Sequence, residues 1–393
     1  MKIVQVEIFD IHMANAPVWH PVILRATTDE GITGLGEVGL AYGTGHSAGI
    51  GMARNLAEQF VLGADPFQSE LLWDTMFRAS FWGRGGGPVV YGGMSAIDTA
   101  MWDIKGKALG VPVYQLLGGK TNERLRTYAS QIQFGWGPDT VKLVRPEEYG
   151  EVALKAVADG YDCVKVDPIM YGPKGETDTR MLRGLLSPTQ LRCYRDRVGA
   201  IREAVGPDVD IIIEAHSHLT TASAIQLGRL WEPFECILYE EPVHYVNPGL
   251  HELVAHSVSI PTAAGERIYT RWGYRPYFEQ QTLSLIQPDL GLVGGISEGK
   301  KICDYAHVYD ILVQVHICGS PVATAAALHL ETAIPNFGIH EHHTRALKAD
   351  NIALCTQDLQ PERGVFVVPE DPGLGVSLND DVVSQSPCLV LKA

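Results

Sequence analysis

No two of the seven cysteines (positions 163, 193, 236, 303, 318, 355 and 388) form a Cys-x-x-Cys pair, and their number is odd. That spacing excludes a zinc-ribbon type of site, argues against a disulfide framework, and fits reduced thiols in a cytoplasmic protein. Basic residues are scarce as well: 31 Lys and Arg stand against 46 Asp and Glu, a formal net charge of −15. A nucleic-acid partner is excluded on that balance, because phosphate backbones are held mainly by Lys and Arg. An anionic small molecule is not, since a buried metal ion reverses the local field. Long apolar runs are also missing. The longest, Ile311 to Pro335, contains Gln314, two histidines and Glu331, so no membrane partner is expected. Glu7 and Asp10 interrupt the first strand-like run before a signal-peptide core could form. What remains is an ordinary globular composition, 46% hydrophobic and 20% charged, in a chain of 393 residues that exceeds one usual core.

Residues 1–36 read as a β meander, with Ile3–Ile11 and His20–Thr27 rich in β-branched residues and Asp29-Glu30-Gly31 as a turn. Met94, Ile97, Met101, Ile104 and Ala108 then recur at helical spacing and give one apolar face. A sheet followed by helices predicts an α+β capping domain over residues 1–122. From about Leu125 the pattern changes to short apolar runs, each closed by polar residues and followed by a helix-length stretch. Eight such runs predict an α/β fold, a (β/α)₈ TIM-type barrel over residues 123–365, modified by an irregular early repeat. The proline-bearing tail, residues 366–393, is expected to return to the capping domain and complete it.

The residues that close the runs fall at near-constant intervals. Glu214, Glu240 and Glu266 are 26 residues apart in turn; Asp289 follows after 23, His316 after 27 and Glu341 after 25. One interval is one strand–helix repeat, so these side chains should share the C-terminal rim of the barrel, where such folds carry their chemistry. Three converging carboxylates repel one another unless a cation lies between them, and oxygen ligands with room for water and substrate suit Mg²⁺, one per subunit. Asp289 beside His316 would fix the imidazole tautomer and raise its basicity, which a general base needs. His216 lies two residues beyond Glu214 and points the same way if the strand continues. Lys165 and Asp167 share a face at the end of the second strand, where Lys165 meets either a substrate carboxylate or a neighbouring acid. Arg84, within the Gly-rich stretch 83–87, is a candidate substrate contact on a lid, and Trp19 with His20 either faces the site or packs near the first hairpin.

The strand-end motifs Ile-Glu-Ala-His (213–216), Tyr-Glu-Glu-Pro (239–242) and Ala-Gly-Glu-Arg (264–267), followed by Gln-Pro-Asp and Val-His, resemble those of the enolase superfamily over essentially the whole chain. Within it the sequence is most similar to the mandelate racemase/muconate lactonizing enzyme group, and there to its sugar-acid dehydratases of galactonate and mannonate type. The resemblance implies that Glu214, Glu240 and Glu266 bind the Mg²⁺ that holds a substrate carboxylate and stabilises an enediolate. It implies His316 with Asp289 as the base dyad, His216 as the acid for the leaving hydroxyl and Glu341 as a hydrogen-bonding residue. Tyr171, in the long loop after the second strand, is an alternative base by the same likeness. Two positions depart from the family pattern: Glu214 stands where Asp is usual, and Asp167 replaces the second Lys of Lys-x-Lys, which weakens a two-base racemase reading.

The expected activity is therefore a Mg²⁺-dependent dehydration of a small polyhydroxy carboxylate to a 2-keto-3-deoxy acid by a homo-oligomer. An epimerase or cycloisomerase using the same first step is the nearest rival. A non-catalytic regulator that retains the fold is the rival from another class.

Overall fold

The computed structural model describes residues 1–13, 16, 18–177 and 179–393. Strands β1 (Ile3–Asp10), β2 (Val22–Thr28) and β3 (Thr33–Val38) form the antiparallel meander, backed by helices α1 (His46–Leu56), α2 (Ser69–Ala79), α3 (Gly87–Leu109) and the short α4 (Val113–Leu116). Alternate residues of β3 face α3, and two of them are Gly34 and Gly36. A Cβ on Gly36 would lie 1.9 Å from the carbonyl oxygen of Ala96, so glycine lets the helix rest directly on the strand.

The second unit alternates β4 (Leu125–Ser130), α5 (Pro146–Ala158), β5 (Cys163–Val166), α6 (Pro188–Val205), β6 (Asp210–Glu214), α7 (Thr221–Trp231) and β7 (Leu238–Glu240). It continues through α8 (Pro248–Ala255), β8 (Thr262–Ala264), α9 (Thr270–Glu279), β9 (Leu285–Ile286), α10 (Gly295–His307), β10 (Leu312–Val313), α11 (Pro321–Ala333) and β11 (His340–His343). Neighbouring strands are parallel, β11 returns to pair with β4, and a bridge between Val313 of β10 and Phe337, just before β11, closes the barrel. Four of the helices begin on proline, whose missing N–H costs nothing in a first turn. The first repeat runs through a 3₁₀ turn (Ile132–Phe134) before α5, and the last ends in short turns (Thr344–Leu347 and Ala349–Ile352) instead of a long helix. In the tail, β12 (Val365–Phe366) pairs with β4, and β13 (Cys388–Lys392) pairs antiparallel with β1.

The barrel interior is built in layers with the period of the strand. Tyr128, Cys163, Ile212, Leu238, Ala263, Leu285 and Ile339 make one apolar cluster. Two residues further along each strand come Ser130, Lys165, Glu214, Glu240, Gly265, Gln287 and Glu341. Strand alternation thus stacks a polar layer on the apolar one.

Candidate active site

Within the polar layer Lys165 is fully buried, with its Nζ 2.8 Å from Glu240 Oε1, 2.9 Å from Glu341 Oε1 and 3.4 Å from Glu214 Oε2. Burial alone would lower this ammonium, but Glu214, Glu240 and Glu341 hold its pKa well above the ordinary value. Of the two readings of Lys165, the ion pair with neighbouring acids is the one present. Glu341 is also bound by Ser130 Oγ at 2.5 Å and the Ile317 N–H at 3.0 Å. Glu214, the last residue of β6, accepts from Gln131 Nε2 at 2.5 Å.

Glu240 is pushed up to about 8 by burial and by Glu214, against the pull of Lys165. Its neighbour Glu241 has a left-handed backbone (φ 42°) and is pushed up to about 7 by burial and Glu266. Single oxygens of Glu214, Glu241 and Glu266 all lie within 4.8 Å of one another. The converging trio thus contains Glu241, where the sequence pattern pointed to Glu240, because Lys165 draws the Glu240 carboxylate aside. Arg267 contacts both Glu241 and Glu266. Burial would raise Glu266, yet His316, Arg267 and His216 outweigh it and hold the group at about 2. Glu266 follows Gly265, where a Cβ would stand 2.4 Å from the Gln287 backbone, so the Ala-Gly-Glu motif is what lets this rim segment press against the next strand.

Two imidazoles flank these acids. His316 Nδ1 is 2.8 Å from Asp289 Oδ2, and its Nε2 is 3.1 Å from Glu266 Oε2. On the other side His216 Nδ1 is 2.6 Å from Asp167 Oδ2, and its Nε2 is 3.2 Å from Glu214 Oε1. Left-handed backbone at His216 (φ 41°) and Ser217 (φ 59°) turns the chain sharply after β6 and brings the imidazole back over the barrel mouth, a strain of the kind kept at functional sites. Both imidazoles are raised to about 10: burial opposes, and Glu214 with Asp167, or Glu266 with Asp289, prevails. His343 faces the same cluster but falls to about 3 through burial.

Other sequence candidates lie at varying distances from this centre. Tyr171 packs edge-on against Phe134, 6.3 Å between ring centroids, and burial raises its phenol, which favours the protonated form. Trp19 is buried, stacks on His343 and lies under Arg345. His20 is half-buried and stacks on His46 instead. Arg84 is exposed and lines a cavity of about 750 Å³ with Tyr269, Trp272 and the same Arg267 that contacts Glu241 and Glu266. Sequence reasoning did not single out Glu241, Arg267, Gln131 or Ser130. The Glu-Glu doublet and the basic residue after Glu266 were the available signals for the first two.

The buried oxygens Glu240 Oε2 and Glu241 Oε1 accept no hydrogen bond among the described residues. Such a surplus of desolvated carboxylate oxygen fits a divalent cation. Comparisons with known proteins identify the family. Residues 4–118 match the mandelate racemase/muconate lactonizing enzyme N-terminal domain, and residues 148–382 match the enolase C-terminal domain-like family. A D-galactonate dehydratase of Variovorax paradoxus (strain S110) is 32% identical over 97% of this chain and 93% of its own. One from Xanthomonas oryzae pv. oryzae (strain PXO99A) is 33% identical over 94% and 91%. The crystal structure of an enolase superfamily member from Salmonella Typhimurium superposes with a TM-score of 0.97 at 52% identity, covering all of both chains. Barrel, cap, acids and paired domain matches together place this chain in the mandelate racemase/muconate lactonizing enzyme family of the enolase superfamily.

Proposed function

We propose that this protein is a hydro-lyase that dehydrates a sugar acid, an aldonate or aldarate, to a 2-keto-3-deoxy acid. The observation that carries the reading is the pair of carboxylate-oriented imidazoles, His316–Asp289 and His216–Asp167, set on either side of one acidic cluster. Relatives named for D-galactonate dehydration support it, at about a third identity over nearly the full length. Glu214, Glu240 and Glu266 would hold one Mg²⁺, whose positive charge would offset charge developing on the substrate carboxylate.

The chain's own groups divide the work. With a cation offsetting the charge of Glu266 that holds His316 up, neutral His316, oriented by Asp289, would take the proton from the carbon beside the carboxylate through Nε2. The electron pair left there moves to form the double bond as the hydroxyl on the next carbon departs. His216, held by Asp167, gives that hydroxyl a proton so that it leaves as water, and the resulting enol becomes the 2-keto acid. Burial of the acids in the barrel keeps bulk water from competing. The substrate is a small polyhydroxy carboxylate met in the cytoplasm, and the working form is a homo-oligomer.

The second imidazole dyad also favours one alternative outcome, return of a proton to the opposite face and hence epimerisation. Incubation with a panel of aldonic and aldaric acids and Mg²⁺, followed by semicarbazide, tests the assignment. A 2-keto acid is expected from at least one substrate, and none in excess chelator. Epimer without keto acid, or full turnover in chelator, contradicts it.

A further inference from the structure

A second group of metal-ligating side chains lies in the cap, apart from the barrel acids. Asp10 ends β1, His20 precedes β2 and His46 is the first residue of α1, and one ligand atom from each lies within 4.8 Å of the other two. The backbone that carries them is tied. The Asp10 N–H donates to the Pro387 carbonyl at 2.9 Å, the Ile11 N–H to Pro21 at 3.0 Å, and the His20 N–H to Ala41 at 2.7 Å. The imidazoles of His20 and His46 stack with centroids 4.3 Å apart and 15° between planes. His46 Nε2 also lies 3.2 Å from Ser47 Oγ. Asp10 Oδ1 is buried and accepts no hydrogen bond among the described residues. The other oxygen, Oδ2, is 3.4 Å from Nε2 of the exposed His12, a fourth group at the edge of the cluster.

We propose that Asp10, His20 and His46 form a second divalent-metal site, of the zinc class, in the capping domain. Two imidazoles and one carboxylate suit Zn²⁺, Ni²⁺ or Cu²⁺, whereas Mg²⁺ prefers the all-oxygen set in the barrel. Bonds of 2.0–2.1 Å in a tetrahedron put ligand atoms about 3.3 Å apart, so the side chains need rotate by only about an ångström to close on an ion. His12 or water would complete the shell. The consequence is mechanical. His20 follows Trp19, which stacks on His343 at the barrel rim, so an ion here would fasten that part of the cap to the start of α1.

The test uses the full chain without a polyhistidine tag, equilibrated with Zn²⁺ in a large excess of Mg²⁺, with bound metal measured by elemental analysis. Wild type should retain one Zn²⁺ per chain. Glu266→Gln should retain it too, while His46→Ala and Asp10→Asn should bind it at least about tenfold more weakly, since even outer-shell changes cost that much. Circular dichroism of the two cap variants should match wild type. No Zn²⁺ retained by wild type, or equal retention by the cap variants, overturns the proposal. Retention abolished by Glu266→Gln in a folded protein also overturns it, because the ion would then sit on the barrel acids. Each result is independent of whether the barrel dehydrates sugar acids.

Discussion

At the scale of single residues, the roles of two adjacent glutamates separate most sharply. Glu240 is held by Lys165 and Glu241 by Arg267, and each has one buried oxygen without a donor among the described residues. If Glu240 is the ligand, Glu240→Gln should abolish Mg²⁺ binding measured by calorimetry, and Glu241→Gln should weaken it by no more than about tenfold. The reverse order would assign the cation to the trio that converges in this structure. Asp167 is the residue whose part changed most between sequence and structure. As a sequence position it was a candidate for touching substrate; in the fold its Oδ2 lies 2.6 Å from His216 Nδ1. Asp167→Asn should lower kcat by about 10²-fold or more with little change in KM, as loss of an oriented acid does. Exchange of the α-proton by His316 should persist in that variant. If exchange and dehydration fall together, Asp167 serves the whole site and not His216 alone. The pairing was within reach of the sequence, since both residues lie just beyond the ends of the adjacent strands β5 and β6, but the left-handed turn at His216 that brings the ring round was not.

At the scale of elements, helix α11 links cap to barrel. Its N-terminal flank, Ser320, donates through Oγ and N–H to Glu37 of β3, at 2.6 Å and 3.0 Å. Glu37 is buried, and desolvation pushes it from the ordinary 4.5 up to about 7 despite the bonds from Ser320. A carboxyl raised in the folded state keeps its proton where the unfolded chain has lost it. Its contribution is therefore complete below about pH 4.5, declines as pH rises to 7 and is level beyond, a change on the order of 3 kcal/mol. Glu37→Gln has no such titration, so its melting temperature relative to wild type should rise between pH 5 and pH 8. An unchanged difference across that range would show that Glu37 is ionised throughout. Elements were the most legible level of the sequence: eight apolar runs became eight strands. The hydrogen-bonded ladders are nonetheless shorter than the runs, β9 and β10 being two residues each. Glu266, Asp289 and His316 consequently lie on rim segments beyond their strands, where tertiary packing and not strand geometry aims them.

For the whole molecule, a period of two along the strands and about 26 residues between them accounts for both the layered barrel and its polar centre. That arithmetic was readable because each repeat has nearly constant length. What it could not supply was the choice between the two partners open to Lys165, whose ammonium sits among three acids, because a charge balance inside a barrel depends on all strands at once. The tail was expected to return to the capping domain, but that its strand β13 lies antiparallel beside β1 was outside this arithmetic, since the two are almost the full chain apart in sequence. The central claim is that one oriented imidazole removes the proton next to a carboxylate. The most direct measurement follows a sugar acid carrying deuterium at C2, in Mg²⁺ and ordinary water, by NMR. Wild type should release the deuterium as it forms keto acid, while folded His316→Asn should release none above background. Release by the variant at the wild-type rate would contradict the account.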